Sequence, residues 1–413
     1  MELLNNVRKA LFVPRPLIAL DIGSSSIKLC QLEQTDKGVK LVRFDVAQLP
    51  PETIMDGAIM NYVAVKEKIR DLLEATKCSG SECALSVSGH PVIIKKISIP
   101  EMTPEELAEC IQWEAEQYIP FDIKNVYVDA QILNPKAGQG QMNVLLVAAK
   151  KNIVDDFVNV AREAGLFPVV VDTDTFACQN AFELNYGCPK DEIIVLINVG
   201  ASAMNINIIS NGLTTFTRDI SMGGSLMTEE IMKQLNVSWE EAEHYKTGDL
   251  SSDEVLGSAV FREVQRLIER VSETLVTEIQ RSLDFFAATT INADIARVYL
   301  SGGASQPSAF IRAMERRLEI PVELTNPFKN IIVDSREFDL DLIQRMSPVA
   351  SVVIGLARRS VGDARIGGND IRINLFKTEE RAPLFKRTPR LFRLPQSIDV
   401  PLTNKCYRLT SRS

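Results

Sequence analysis

A chain of 413 residues, 45% hydrophobic and 24% charged, has the length for two or three domains and a large buried core. Its net charge of −8 leaves no domain-wide basic field with which to neutralise phosphates, which excludes a general nucleic-acid binder. Seven cysteines, at 30, 78, 83, 110, 178, 188 and 406, form no C-x-x-C pair, so neither a disulfide framework nor a zinc site is indicated and a reducing cytoplasm fits.

The opening "MELLNNVRKALFVPRP" spaces Leu3, Leu4, Val7, Ala10 and Leu11 at helical intervals, a stripe that either packs on the body, hangs as a loosely held arm or touches a membrane surface. Its apolar residues are separated by polar ones and no cleavage site follows, so it is not a signal peptide. No apolar stretch is expected to reach the roughly 20 residues of a bilayer span. The longest, 193–199 and 349–357, have the size of a strand and of a core helix.

Then comes "IALDIGSSSIKLCQLE", residues 18–33, two strand-like runs joined at Gly23 by three consecutive serines. A Gly/Ser tip lets backbone N–H groups and hydroxyls converge on an anion with no bulky side chain in the way, although an ordinary polar turn has the same composition. A third strand over 39–48, a helix over 61–75 and a strand at "ECALSVSG" give a β-β-β-α-β start. Thr103-Pro104-Glu105-Glu106 reads as a helix start, with a hydroxyl cap, proline and acids in the first turn, running to about Tyr118 before Pro120. Another helix is expected over 151–164. Histidine offers little chemistry: His90 sits in a turn-like stretch and His244 on a polar helix.

The second half repeats the first. Leu20-Asp21-Ile22-Gly23-Ser24-Ser25 aligns with Ile197-Asn198-Val199-Gly200-Ala201-Ser202, which implies two related α/β lobes, each offering a glycine-hinged hairpin tip. Helices are expected over 225–235, 238–245 and 261–288. In "ARVYLSGGASQPSAF" a strand, Gly302-Gly303 and a helix N-terminus make a third phosphate-friendly loop. The set of three is far more specific than any one of them and points to a nucleotide cleft between the lobes.

These motifs, with "EAEQYIPFDIKNVYVDAQIL", "DTDTFACQNAFE", "EEAEHYK" and "PVASVVIGLARR", resemble the actin/Hsp70/sugar-kinase ATPase superfamily and, within it, the type IV pilus assembly PilM family related to FtsA, over residues 17–359. The resemblance implies an α/β, actin-like two-lobe fold with duplicated RNase H-like cores. It divides the chain into an arm (1–16), a first lobe (17–83, 165–190 and 345–362), an inserted subdomain (84–164), a second lobe (191–224 and 290–344), a helical subdomain (225–289) and a tail (363–413). By the same resemblance Asp21 lies near the metal and phosphates. Gly23, Ser24, Ser25, Ser26 and Lys28 face the terminal phosphates, and Asn198, Gly200, Ala201 and Ser202 form the opposing clamp. Glu243 and Lys246 flank the ribose and base, and Gly302 and Gly303 face the α-phosphate and adenosine. The implied ligands are ATP or ADP with Mg²⁺.

Asn198 stands where actin-like hydrolases carry an aspartate. An amide cannot accept a proton or supply the charge that holds metal-bound water, so hydrolysis is expected to be weak or absent, unless Asp172 or Asp174 replaces the carboxylate. The family further implies a cytoplasmic scaffold, peripheral on the inner membrane, that binds the N-terminal tail of PilN in a groove between the first lobe and the inserted subdomain, with PilO and the assembly ATPase as indirect partners. An FtsA-like filament, a type II secretion platform and a sugar-kinase-type phosphotransferase are the alternatives.

"IRINLF", residues 371–376, looks like the partner's own docking segment, through Ile371, Ile373, Asn374 and Leu375. Three readings stay open: it occupies the groove of its own molecule or a neighbour, it is a strand-like peptide with no such role, or it is a gene fusion to the partner's first residues. The stretch 377–413 holds nine basic and three acidic residues with four prolines, a composition expected to be disordered and attracted to anionic lipid.

Overall fold

The computed structural model describes residues 17–188, 191–247, 259–291, 293–361 and 371–376. The arm at 1–16 and the basic stretch beyond 376 lie outside these residues.

Apolar residues on both sides of Asp21 make β1 (Ile18–Ile22) a strand buried on both faces. It turns through Gly23 into β2 (Ser26–Thr35), which pairs antiparallel with β1 and then with β3 (Gly38–Gln48). A two-residue pair, β4 (Ile54–Met55) and β5 (Ala58–Ile59), precedes α1 (Tyr62–Thr76). Asn61 caps α1, its Oδ1 accepting from the Ala64 N–H at 3.1 Å. The crossover delivers β6 (Glu82–Val87) parallel to β1, and β10 (Phe167–Thr173) adds beyond it. The sheet order is β3-β2-β1-β6-β10.

The second sheet has the same plan. β11 (Ile193–Val199), β12 (Met204–Ser210) and β13 (Leu213–Ile220) form an antiparallel meander. β14 (Ile295–Ser301) and β15 (Val322–Leu324) then add in parallel, giving the order β13-β12-β11-β14-β15. The two lobes inferred from the duplicated hairpins are thus present, each an antiparallel hairpin pair flanked by two parallel strands.

Between β6 and β10 the chain builds a separate three-stranded sheet, ordered β7-β9-β8, from β7 (Val92–Pro100), β8 (Val126–Gly138) and β9 (Gln141–Lys150). Its cover is α2 (Pro104–Glu116), which buries Leu107, Ile111 and Ala115 on the sheet. Thr103 and Glu106 close a reciprocal capping box, with N–H to side-chain oxygen distances of 2.7 and 3.2 Å, and α2 ends two residues before Tyr118. α3 (Lys151–Glu163) returns the chain to the first lobe.

The second lobe is covered by α5 (Ser225–Leu235), α6 (Trp239–Thr247), the 31-residue α7 (Ala259–Thr289) and α8 (Ser308–Leu318). Between the sheets run the buried helices α4 (Asp174–Tyr186) and α10 (Ser351–Ala357), while α9 (Leu340–Met346), which precedes α10, buries only Ile343. At Gly355 a Cβ would lie 1.7 Å from the Ala177 carbonyl, so α10 crosses α4 at a distance that admits no side chain.

One expectation about apolar length is corrected here. The helical run Leu340–Ser360, 21 residues of mean hydropathy 1.3, meets the length and composition of a membrane span, and 61% of its window is buried inside the fold. Val353, Ile354 and Leu356 are fully enclosed against the first sheet, so the apolarity serves the core.

Candidate functional site

The duplicated hairpins bring their tips together. Ser24 and Ser202 meet across the cleft, the Ser202 hydroxyl donating to the Ser24 hydroxyl at 2.9 Å. On the first tip, the Gly23 N–H donates to the Ser26 carbonyl at 3.1 Å, which sets the turn. A Cβ on Gly23 would stand 3.1 Å from Lys28 Nζ, so glycine preserves the space beside that ammonium. Lys28 Nζ lies 3.2 Å from the Asp21 carboxylate, placing the lysine over the tip. Burial pushes the Asp21 carboxyl from its usual 3.8 up to about 6; Lys28 pulls it down, and Asp174 at the start of α4 pushes it further up.

The second tip is clasped by the start of α5. The N–H groups of Gly224 and Ser225 donate to the Gly200 and Ala201 carbonyls at 2.9 and 2.8 Å. One turn on, Thr228 meets both Glu243 and Lys246: Lys246 Nζ lies 2.8 Å from the Thr228 hydroxyl and 2.5 Å from the Glu243 carboxylate, and that hydroxyl also bonds Glu243. The third loop closes on the second. Gly302 has φ +90°, and a Cβ there would fall 2.3 Å from the Val199 carbonyl, so a glycine is required on both counts. Gly303 opens a single 3-10 turn, and α8 starts at Ser308 behind Pro307. The helix N-terminus expected directly above the glycine pair is therefore displaced by this turn.

Asn198 is held by neutral partners. Its Nδ2 donates to Asn205 Oδ1 at 3.0 Å, and its Oδ1 accepts from the Ser301 hydroxyl at 3.4 Å. Asn205 continues to Asp219 at 2.9 Å, whose other oxygen accepts the Gly89 N–H at 2.8 Å. This chain ties the second hairpin to the turn before β7. Sequence reasoning missed Asn205 and Asp219, because their roles depend on β12 and β13 lying beside β11.

The two replacement carboxylates separate. Asp172 is completely buried and paired to Arg359, an internal ion pair and not a cleft group. Asp174 is partly exposed and acts electrostatically on Asp21, Cys178 and Asp219. Asp174 lies near enough for its charge to act on Asp21, and carboxylate oxygens are the donors a hard divalent cation prefers. Among the described residues no three His, Cys, Asp or Glu side chains cluster tightly enough to hold a metal alone, so ligand oxygens and water would complete its shell. The residues fit a magnesium nucleotide, which when bound would supply the positive charge that relieves Asp21 and Asp174.

A second site lies at the edges of two sheets, where β10 and β8 face each other across a trench filled by residues 371–376. Ile371, Ile373, Leu375 and Phe376 are buried in the core shared with β1, β6 and α3. The Leu375 N–H donates to the Val171 carbonyl at 2.8 Å. Asn374 returns the pairing with its side chain, accepting from the Val171 N–H at 3.1 Å and donating to the Val169 carbonyl at 2.9 Å. The segment forms no strand, and the Leu375–Val171 bond is its backbone link to β10. Side chains read it instead: Asn180, Gln131, Asp129 and Arg359 bond the main chain of Ile371, Arg372, Asn374 and Ile373. On β8, Tyr127, Asp129, Gln131 and Leu133 alternate with Val128, Ala130 and Ile132, which face α2. That period of two was the available signal for Asp129 and Gln131.

A family model described as type IV pilus assembly protein PilM matches residues 19–361. A solved PilM-PilN type IV pilus biogenesis complex is similar with a TM-score of 0.74 and 27% identity, covering 84% of this chain and 99% of that one. The cell division protein FtsA of Bacillus subtilis (strain 168) is 22% identical over 409 residues, 88% of this chain and 87% of its own length. FtsA of Neisseria meningitidis serogroup B (strain ATCC BAA-335 / MC58) is 21% identical over 358 residues, 76% of this chain and 84% of its own.

Proposed function

The chain belongs to the type IV pilus assembly protein PilM family, and we propose that it is a nucleotide-binding scaffold that docks the N-terminal tail of a PilN-type membrane protein in the trench between β8 and β10. The observation that carries this reading is the trench itself. Two sheet edges, one from the first lobe and one from the three-stranded sheet, hold a six-residue segment through side chains that bond its main chain, a backbone bond to Val171 and apolar contacts. The solved PilM-PilN complex, similar over 99% of its chain, supports the choice of partner.

In this reading ATP or ADP with Mg²⁺ lies between the hairpin tips. Asp21 and Asp174 face the cation, and Ser24, Ser25, Ser26 and Lys28 face the terminal phosphates opposite Gly200, Ala201 and Ser202. Gly302 and Gly303 border the nucleoside side with Glu243 and Lys246. Asn198 holds position without accepting a proton, so the ligand acts as a clamp between lobes and turnover is slow. The scaffold works on the cytoplasmic face of the inner membrane, reaching PilO and the assembly ATPase through its bound partner.

Calorimetric titration of the partner's N-terminal tail peptide into the full chain, with and without MgATP, tests the reading. Saturable binding that tightens with MgATP is expected. Absence of binding under both conditions, in protein whose own trench segment has been displaced by mutation, overturns it.

A further inference from the structure

We propose that residues 371–376 are a resident pseudo-ligand of the trench, so that an external peptide enters only by displacing them and the chain carries its own competitor. The inference rests on the docking reading above and adds what controls access to that site.

The contacts are those a peptide site makes. Asn180 grips Ile371 at two points, accepting its N–H at 3.3 Å and donating to its carbonyl at 3.0 Å. Gln131 and Asp129 accept the N–H groups of Arg372 and Asn374, each at 2.7 Å, and Arg359 donates to the Ile373 carbonyl. All four address main-chain atoms that any extended peptide possesses. Selectivity comes from the opposite direction, where main chain reads side chain. Val171 N–H and Val169 C=O hold the Asn374 amide at the point where β10 slips register against β6, between Pro168 and Val170. Ile371, Ile373, Asn374, Leu375 and Phe376 are all buried and Arg372 is exposed, so five of the six side chains are available for recognition within the trench. The site therefore takes a segment of the pattern apolar, polar, apolar, Asn, apolar, aromatic, with the last ring beneath Arg162 at 5.5 Å.

Vacancy is disfavoured. Emptying the trench removes the hydrogen bonds that Asn374 and Leu375 make to Val169 and Val171 and wets the apolar wall, so exchange of one peptide for another is easier than release. The nine residues 362–370 that tether the segment to Val361 fix its effective concentration on the order of millimolar. If the untethered segment binds with a dissociation constant on the order of 10–100 μM, such a tether weakens the apparent affinity of an external peptide by roughly 10- to 100-fold.

The test uses the full chain and a fluorescein-labelled peptide of residues 368–380, read by anisotropy. The double variant Ile373→Asp/Asn374→Lys is expected to bind the label at least 10-fold more tightly than wild type, with Asn374→Ala intermediate. Saturating wild type with unlabelled peptide is expected to remove hydrogen-exchange protection from the amides of 371–376. Because Ile373→Asp lies in the core, Asn374→Ala and the wild-type exchange measurement decide the matter if the double variant unfolds. Equal affinity for wild type and folded variants, or unchanged protection at saturation, makes the segment a fixed part of the core and overturns the proposal. Binding of the 368–380 peptide to the variant together with failure of the partner's tail to compete leaves an exchangeable segment and overturns the docking reading instead.

Discussion

Arg359 ties Asp172 to the Ile373 carbonyl: one guanidinium neutralises a carboxylate with 0% exposure and holds the main chain of the trench segment. The seat of the segment and the interior of the first lobe are therefore one electrostatic unit. Asp172 pairs across β10 with Ser86 of β6, so a disturbance at Arg359 reaches the sheet as well as the trench.

Replacing Arg359 with methionine is expected to lower stability by about 3–5 kcal/mol, because it leaves an uncompensated buried charge. Burial already pushes the Asp172 carboxyl up from its usual range while Arg359 opposes it, so losing the arginine pushes it further up. A carboxyl raised in the folded state costs stability as pH rises above its unfolded value. The deficit of Arg359→Met should accordingly be larger at pH 7 than at pH 4, and Asp172→Asn should recover part of it. Urea unfolding at the two pH values checks the sign.

Asp21 makes a similar prediction with a narrower window. The unfolded chain releases this proton near 3.8 and the folded protein near 6. Between those values the folded state holds the proton more tightly, and ionisation costs it about 3 kcal/mol by pH 7. Asp21→Asn should flatten that part of the pH dependence, so the difference in unfolding free energy between wild type and variant changes between pH 4 and 6 and is level above. A difference that is constant from pH 3.5 to 7 contradicts the burial of Asp21.

How far the residues announced this arrangement differs from element to element. The alignment of Leu20–Ser25 with Ile197–Ser202 was visible because each apolar strand carries one polar residue, Asp21 or Asn198, two positions before its glycine, and both sheets were built as that repeat requires. The cap at Thr103 was equally local, whereas Asn61, read as the first residue of its helix, is the cap before it. The Asn198–Asn205–Asp219–Gly89 chain was hidden, since it joins strands whose pairing is decided by the whole lobe. Asp172 was misjudged for the same reason: nothing near it in the chain foretells an arginine 187 positions away. The pattern of residues 371–376 pointed to a trench, while its side-chain-mediated seat depended on Asn180 of α4 and on Asp129 and Gln131 of β8, two stretches distant in the chain.

The two glycines of the third loop should respond unequally. Gly302→Ala forces a Cβ into the Val199 backbone at φ +90° and is expected to cost several kcal/mol. At Gly303 the new Cβ meets the Val349 side chain at 3.3 Å, a neighbour able to shift, so Gly303→Ala should cost about 1 kcal/mol or less. Thermal unfolding separates them, and a milder loss at 302 than at 303 would contradict the close approach of this loop to β11.

Asn198→Asp tests the missing carboxylate. The new side chain cannot donate to Asn205, so about 1–3 kcal/mol of stability should be lost. The same change supplies a group able to accept a proton and hold metal-bound water, and MgATP turnover should rise about tenfold over a slow wild-type rate. Steady-state phosphate release on both proteins reads the outcome; rapid turnover by wild type would remove Asn198 as the reason for slow hydrolysis.

The most direct measurement is photo-crosslinking of a partner tail peptide, carrying a benzophenone beside its asparagine, to the Asn374→Ala chain in MgATP. Adducts are predicted at Asp129–Gln131 on β8 and Val169–Val171 on β10. Efficient adducts confined to α7 or the second sheet, with those two strands unlabelled, would contradict the account.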